Sequence, residues 1–235
     1  MESQPRPDGT NRLLTRLPEG VYEQLRPSLE QVSQLFKETL QEPNTIMSHV
    51  YFPLTTVNSI LVSMEDGSQV EVATVGNEGM IGLPIFLGSD TMQTISIVQV
   101  PGETLRMPAD TFKEAVRSLE PLRNVLQRYT QALFMLVAQS VACNRMHDIA
   151  QRCARWLLMT HDRVQTERFP VTQEFLSDML GVRRASVSEV ASTLQREGLI
   201  QYSRGIITVL DRSGLEARSC ECYRIVRQEF ERSLG

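Results

Sequence analysis

Cysteine and histidine are scarce in this chain, with four of the first and three of the second among 235 residues. Cys143, Cys153, Cys220 and Cys222 all fall in the second half without paired CxxC spacing, so neither a disulfide framework nor a zinc ribbon is implied and reduced, structural thiols are expected. Cys220 and Cys222 stand two apart in a charged tail; ordinary surface thiols are expected there, with a redox or metal role as the alternative, and no metal ligand is assigned. His49, His147 and His161 are scattered, and no Ser/His/Asp order, nucleophile elbow, HExxH or P-loop occurs. The paired acids Glu65 and Asp66 sit in an expected turn, where solvation explains them. No catalytic residue is assigned and an enzyme is not expected. No run approaches the roughly 18 apolar residues of a membrane span, and the opening residues carry no basic start followed by an apolar stretch. No membrane partner is expected, and the cytoplasm is the expected location.

An excess of positive charge is missing too: the net charge is -4, which argues against a nonspecific nucleic-acid coat. The distribution says more than the total. Residues 1–144 hold 10 Lys/Arg against 16 Asp/Glu, whereas residues 145–212 hold 10 Arg against 8 acids, so the second segment is the better candidate for a phosphate-facing surface.

Of what is present, 41% hydrophobic residues suffice for a sizeable core, and the length suits two modest domains. After a Pro-rich start, expected to be disordered, the stretch Asn11 to Arg26 shows helical spacing of Leu13, Leu14, Leu17, Val21 and Leu25 until Pro27 stops it. Between Ser28 and Met107 the texture is that of strands, including Val57 to Met64, Gln69 to Val75 and Thr94 to Val100. Alternation puts Ile60, Val62 and Met64 on one face and Val70, Val72 and Thr74 on another, with Asp66-Gly67 as a hairpin signal between the first two strands. Glycines 76, 79, 82 and 88 with Pro84 mark a segment that turns tightly or admits a close neighbour to its backbone. Many short strands with Gly/Pro turns indicate a sandwich or jelly roll. Past Pro121, the residues Leu122, Leu126, Tyr129, Leu133, Leu136, Ser140, Cys143 and His147 step alternately by four and three, the signature of a coiled-coil seam. A dimer helix is the preferred reading, with Leu122, Leu126, Tyr129, Leu133, Leu136 and Ser140 as its interface; an amphipathic helix lying on its own domain would show a similar stripe.

Val171 to Gly198 carries the most specific pattern. Thr172 suits an N-cap, Leu176, Met179 and Leu180 form an inward stripe, and Gly181 permits a sharp turn. A second helix follows, with Val187, Val190, Ala191 and Leu194 inward and Gly198 as its stop. Arg184, Ala185, Ser188, Glu189 and Ser192 are left outward, small and hydrogen-bonding groups suited to base edges. Two short strands closed by Tyr202 to Gly205 form a wing. The DNA-contacting set expected from this helix-turn-helix is Thr172, Gln173, Arg183, Arg184, Ser186, Ser188, Glu189, Ser203 and Arg204. Arg184 is assigned to guanine, Glu189 to cytosine N4 and Arg183 to a phosphate.

With these residues in view, the chain resembles the Crp/Fnr superfamily, bacterial regulators related to the cAMP receptor protein, over nearly its whole length. Thr172 to Gly198 with the wing resembles that family's winged helix-turn-helix, Leu122 to His147 its dimer helix, and Ser28 to Met107 its double-stranded β-roll. His49 to Pro53 and Val75 to Gly82 are similar to one subgroup of it. The resemblance implies an α+β chain: an N-terminal arm (1–20), a cyclic-nucleotide-binding-like β-roll sensor domain (21–118), a long dimerisation helix (119–147), a winged helix-turn-helix (148–212) and a C-terminal helical extension (213–235) whose alternating Arg and Glu suggest a solvated helix. It implies a homodimer on double-stranded DNA with a palindromic site, and RNA polymerase as a further candidate partner. Departures matter as well. Gly82, Leu83 and Pro84 stand where nucleotide-binding members have Gly-Glu-Leu, and Met92 and Gln93 fall near the place of their Arg-Ser pair. Gly82, Leu83, Met92 and Gln93 are therefore the expected pocket, with cAMP disfavoured for want of a phosphate partner and no cofactor identified. No cysteine precedes Cys143, which disfavours the family's N-terminal iron-sulfur cluster. Arg184 matches a base-reading arginine of the family, whereas Ala185 replaces a common glutamate and Glu189 an arginine of some members. The rival expectation is a sensor or adaptor that has lost DNA binding.

Overall fold

The computed structural model describes residues 10–164 and 166–234, so the Pro-rich start up to position 9 lies outside the described residues. The N-terminal helical segment is two helices, α1 (Arg12–Thr15) and α2 (Glu19–Leu25), followed by a 3₁₀ turn at Arg26–Ser28. The second helix ends just before Pro27 as expected, but a further break falls at Pro18, whose ψ of 144° is extended. A proline forces the residue before it out of helix, so the apolar spacing continues through a chain that does not. Both pieces bury their leucines, and Asn11 caps α1 while donating through Nδ2 to the carbonyls of Pro53 (3.0 Å) and Gly79 (2.8 Å).

Seven strands make two antiparallel sheets. One has the order β1 (Glu30–Gln34), β7 (Gly102–Pro108), β3 (His49–Pro53); the other runs β2 (Thr39–Gln41), β6 (Ile95–Val100), β4 (Val57–Ser63), β5 (Gln69–Val75). β4 and β5 pair as the expected hairpin, with Gly67 at φ 82° in its turn. β4 alternates as expected: Val57 and Leu61 are fully buried on one face, whereas Ile60 and Val62 are half-buried and Met64 is exposed on the other. The register slips fall on its partners: β5 carries an extra residue at Val72, so Val70 pairs with Val62 but Thr74 with Ser59, and the face expected to join Val70, Val72 and Thr74 is broken by a bulge that strict alternation does not anticipate. The short helix α3 (Leu83–Phe86) begins at Gly82 and α4 (Ala109–Ser118) follows the roll.

The long helix α5 (Glu120–Met146) ends at His147, whose backbone is extended, and α6 (Ile149–Val164) begins two residues later. The head contains β8 (Arg168–Pro170), α7 (Gln173–Leu180), α8 (Arg184–Arg196), β9 (Ile200–Ser203) and β10 (Ile206–Val209). β8 pairs with β10 beside β9, adding a third strand to the expected two-stranded wing. The tail folds as α9 (Arg212–Arg218) and α10 (Cys222–Leu234). α10 is no solvated helix: Cys222, Tyr223, Val226, Phe230 and Leu234 are buried, with the arginines and glutamates on its outer side. One continuous apolar core runs from Leu13 through the roll, α5, α6 and the head to Leu234.

Candidate nucleic-acid interface

α7 and α8 owe their ends to local chemistry. Thr172 Oγ1 accepts from the Phe175 amide at 3.1 Å, and Gly181 turns the chain at φ 62°, a conformation that costs glycine nothing. Phe175, Leu176, Met179 and Leu180 from α7 meet Val187, Ala191 and Leu194 from α8 in the core, which leaves Arg183, Arg184, Ala185, Glu189, Ser192 and Arg196 exposed. Arg183 is the N-cap residue of α8 and Arg184 its first helical residue, so two guanidinium groups stand at the helix end that already favours anions. Ser186 and Ser188 are half-buried, and Ser188 Oγ donates to Gln173 Oε1 at 2.6 Å, fixing the start of α7 against α8.

The wing is held to the same side of the head. Arg204 (φ 52°) and Gly205 (φ 74°) form its two-residue turn, the conformation that matches the strand twist of a hairpin, and Ser203 and Arg204 are exposed. The Val171 amide donates to Gly205 O at 2.9 Å, Tyr202 Oη donates to Val171 O at 3.1 Å, and Gln195 Oε1 accepts from the Tyr202 amide at 2.9 Å. Thr172, Gln173, Arg183, Arg184, Ser188 and the wing tip are thus tied into one rigid piece.

Two other expected sets fare differently. Leu122, Leu126, Tyr129 and Leu136 are buried by their own chain, and Leu133 and Ser140 are half-buried. Tyr129 Oη donates to Met80 O at 3.2 Å, and its ring lies so close to Gly79 that a Cβ there would strike it. The heptad stripe is therefore the face that α5 lays on the roll and α10. On another face of the same helix Phe134 is 68% and Val141 67% exposed, with Thr130 and Val137 completing a four-three-four spacing and Ala138 and Ala142 beside them.

Of the expected pocket, Gly82, Leu83 and Met92 do line a cavity of ≈ 240 Å³ between the roll and α5, which Met47, Met80, Leu133 and Phe134 help to close. Gly82 adopts φ 96° and brings its backbone against Val50. Gln93 is exposed and accepts from Asn44 Nδ2 at 3.3 Å, outside the cavity; locating it by counting back from β6 ignored the loop's turn. No charged side chain lines the cavity among the described residues. The expectation of surface thiols is overturned: Cys220 and Cys222 are buried beside Cys143 and His147. Cys220 lies in the turn before α10 and Cys222 is its first residue, whereas Cys143 is in the last turn of α5 and His147 caps that helix, a meeting that only the fold produces.

Residues 151–218 match the family model of the Crp-like helix-turn-helix domain. No match was found among curated proteins. Among solved structures, the chain is similar to a regulator assigned to the Crp/Fnr family from Eubacterium rectale (18% identity, TM-score 0.67, covering 90% of this chain and 97% of that one). It is also similar to FixK2 from Bradyrhizobium japonicum (14%, 0.69, 82% and 98%) and to the c-di-GMP responsive global regulator CLP of Xanthomonas campestris (16%, 0.63, 82% and 99%). At such identities the likeness is one of fold alone, and the fold is that of the regulator assigned to the Crp/Fnr family.

Proposed function

We propose that this chain, which carries a Crp-like helix-turn-helix domain in the fold of the Crp/Fnr transcription regulators, is a cytoplasmic, homodimeric regulator that binds a palindromic DNA site. The carrying observation is the outward face of α8, with Arg183 and Arg184 at its exposed N-terminus and the wing tip held beside α7. Arg184 offers the forked donors that suit guanine O6 and N7, Arg183 and Arg204 contact phosphates, and Thr172, Gln173, Ser186, Ser188, Glu189 and Ser203 supply the remaining polar contacts. Two such heads related by a twofold axis fit half-sites about 34 Å apart.

For the dimer seam the reading rests on α5, but on a different face from the heptad stripe. Phe134 and Val141 are the apolar positions left open, Thr130 and Val137 lie half-buried on the same face, and Ala138 and Ala142 allow close approach. Thr130, Phe134 and Val137 also line the cavity, so an occupant there would touch the seam and bias the relation of the two heads. An apolar, uncharged effector suits that lining; cAMP and cyclic di-GMP would bring phosphates into a cavity with no cationic partner.

Selection from a random duplex pool, with wild type and Arg184→Ala in parallel at stated salt, tests the reading. Wild type is expected to enrich a palindrome and the variant to relax at one guanine pair per half-site. If wild type enriches nothing, with or without hydrophobic extracts added, the rival of a sensor that does not bind DNA takes its place.

A further inference from the structure

We propose that Cys143, His147, Cys220 and Cys222 form a closed, mononuclear site for a zinc-type ion, which clamps the C-terminal helix onto the end of the long helix at the joint with the head. The four ligand atoms all lie within 4.8 Å of one another. Cys143 Sγ and Cys220 Sγ are 3.5 Å apart, and Cys222 Sγ and His147 Nδ1 are also 3.5 Å apart. Thiolates held tetrahedrally at about 2.3 Å from zinc sit roughly 3.8 Å from each other, and a nitrogen at about 2.0 Å sits somewhat closer to its sulfur neighbours. The cluster is therefore near the size that one ion imposes. An iron-sulfur cluster, whose thiolates bind separate irons, needs a wider set.

The surroundings carry the same stamp. The second nitrogen of His147, Nε2, lies 3.2 Å from a carboxylate oxygen of Glu221, which orients the ring and leaves Nδ1 toward the sulfurs. Gln139 Nε2 donates to Cys222 Sγ at 3.1 Å, the type of bond that tempers a thiolate's charge. The cysteines are buried, and all four coordination positions come from protein, which is the arrangement of a structural centre rather than a catalytic one. Soft sulfur ligands with one imidazole select zinc over the oxygen-seeking cations. A dication bound by these thiols displaces their protons to solvent.

Position gives the site its consequence. Cys143 and His147 are one turn apart at the end of α5, and α6 starts at Ile149, so the ligands flank the joint through which the roll meets the head. Cys222 opens α10, which lies along α5, and Cys220 stands in the turn just before it. One ion thus closes a loop between residues far apart in sequence and fixes the tail where the core needs it. The site stands whether or not the head binds DNA.

Full-length protein purified under reducing conditions is assayed for metal by mass spectrometry, then stripped and titrated with Co²⁺. Stoichiometric zinc is expected, together with the intense visible bands and thiolate charge-transfer absorption of tetrahedral Co²⁺. Cys143→Ser and Cys220→Ser should each abolish the charge-transfer signal in part and lower occupancy, Glu221→Gln should weaken affinity by about 10-fold or more, and Cys153→Ser, a buried thiol outside the cluster, should change nothing. The wild-type Co²⁺ spectrum requires no variant, so a variant that fails to fold does not shield the proposal. Absence of zinc and of a tetrahedral Co²⁺ spectrum in reduced wild type overturns it, as does a Cys143–Cys220 disulfide as the only stable form of the pair.

Discussion

Arg163 and Glu78 meet at 2.7 Å with side chains 8% and 7% exposed, the guanidinium reaching from α6 into the glycine-rich turn of the roll. The aliphatic part of Arg163 packs on Gly76, where a Cβ would lie 2.7 Å from it, so that glycine is needed for close approach. Arg163→Met leaves the Glu78 carboxylate buried with, among the described residues, the Gly76 amide as its remaining hydrogen-bond donor, and a loss of about 3–5 kcal/mol is expected in denaturant unfolding. A second Glu78→Leu change should recover part of it. Glu71 supplies a pH-dependent case. Burial raises its carboxyl above the ordinary value of 4.5, although Trp156 Nε1 donates to its Oε1 at 3.0 Å and Thr74 Oγ1 at 2.8 Å. Its stabilising contribution is full below the ordinary glutamate value and declines as pH rises through the raised one. Melts of wild type and Glu71→Gln between acid and neutral pH should show wild type losing stability relative to the variant; parallel curves would contradict this. At this scale the sequence disclosed the caps and turns, because Thr172, Gly67, Gly181 and Gly205 act on their immediate neighbours. Glu78, which pairs with Arg163, and Trp156, which donates to Glu71, each lie 85 residues from their partner, beyond any local pattern.

Among the elements, α5 shows where a periodic pattern stops informing. The spacing of Leu122, Leu126, Tyr129 and Leu136 identifies an apolar stripe, and any apolar surface satisfies it; the roll and α10 cover it here. A 3.5-residue repeat also drifts by only about 20° per heptad from a straight helix, too little to tell a seam from a packed face over this length. In the proposed dimer, the open stripe through Phe134 and Val141 faces the second copy. Phe134→Glu with Val141→Glu is expected to shift sedimentation from dimer to monomer while far-ultraviolet circular dichroism stays unchanged; an undisturbed dimer would place the seam elsewhere. α10 was hidden by its charges, since Tyr223, Val226, Phe230 and Leu234 follow one side while Arg and Glu fill the other. The helix-turn-helix was legible because its glycine stops, cap and inward stripe fall within some thirty consecutive residues.

Across the whole molecule, the head is bound into the roll rather than hung from it. Gln99 Nε2 donates to Thr160 Oγ1 at 2.8 Å, Phe36 and Phe175 rings are 5.6 Å apart, and the Arg163–Glu78 pair joins the same two bodies. Trp156, the single tryptophan, sits at that junction, so its fluorescence should change in the same transition as the circular dichroism; separate midpoints would show that roll and head unfold independently. The assembly of roll, long helix and head was visible in the order of textures along the chain, whereas the docking of α6 and the gathering of Cys143, His147, Cys220 and Cys222 are products of tertiary structure. The central claim is that α8 reads DNA, and it is tested most directly by titrating the selected duplex with wild type and with Arg184→Ala at one stated salt concentration. The account predicts two chains per duplex and a loss of about 1–3 kcal/mol per half-site in the variant, with bulk-DNA affinity little changed. Equal binding by the two proteins, or no preference of wild type for the selected sequence over bulk DNA, would contradict it.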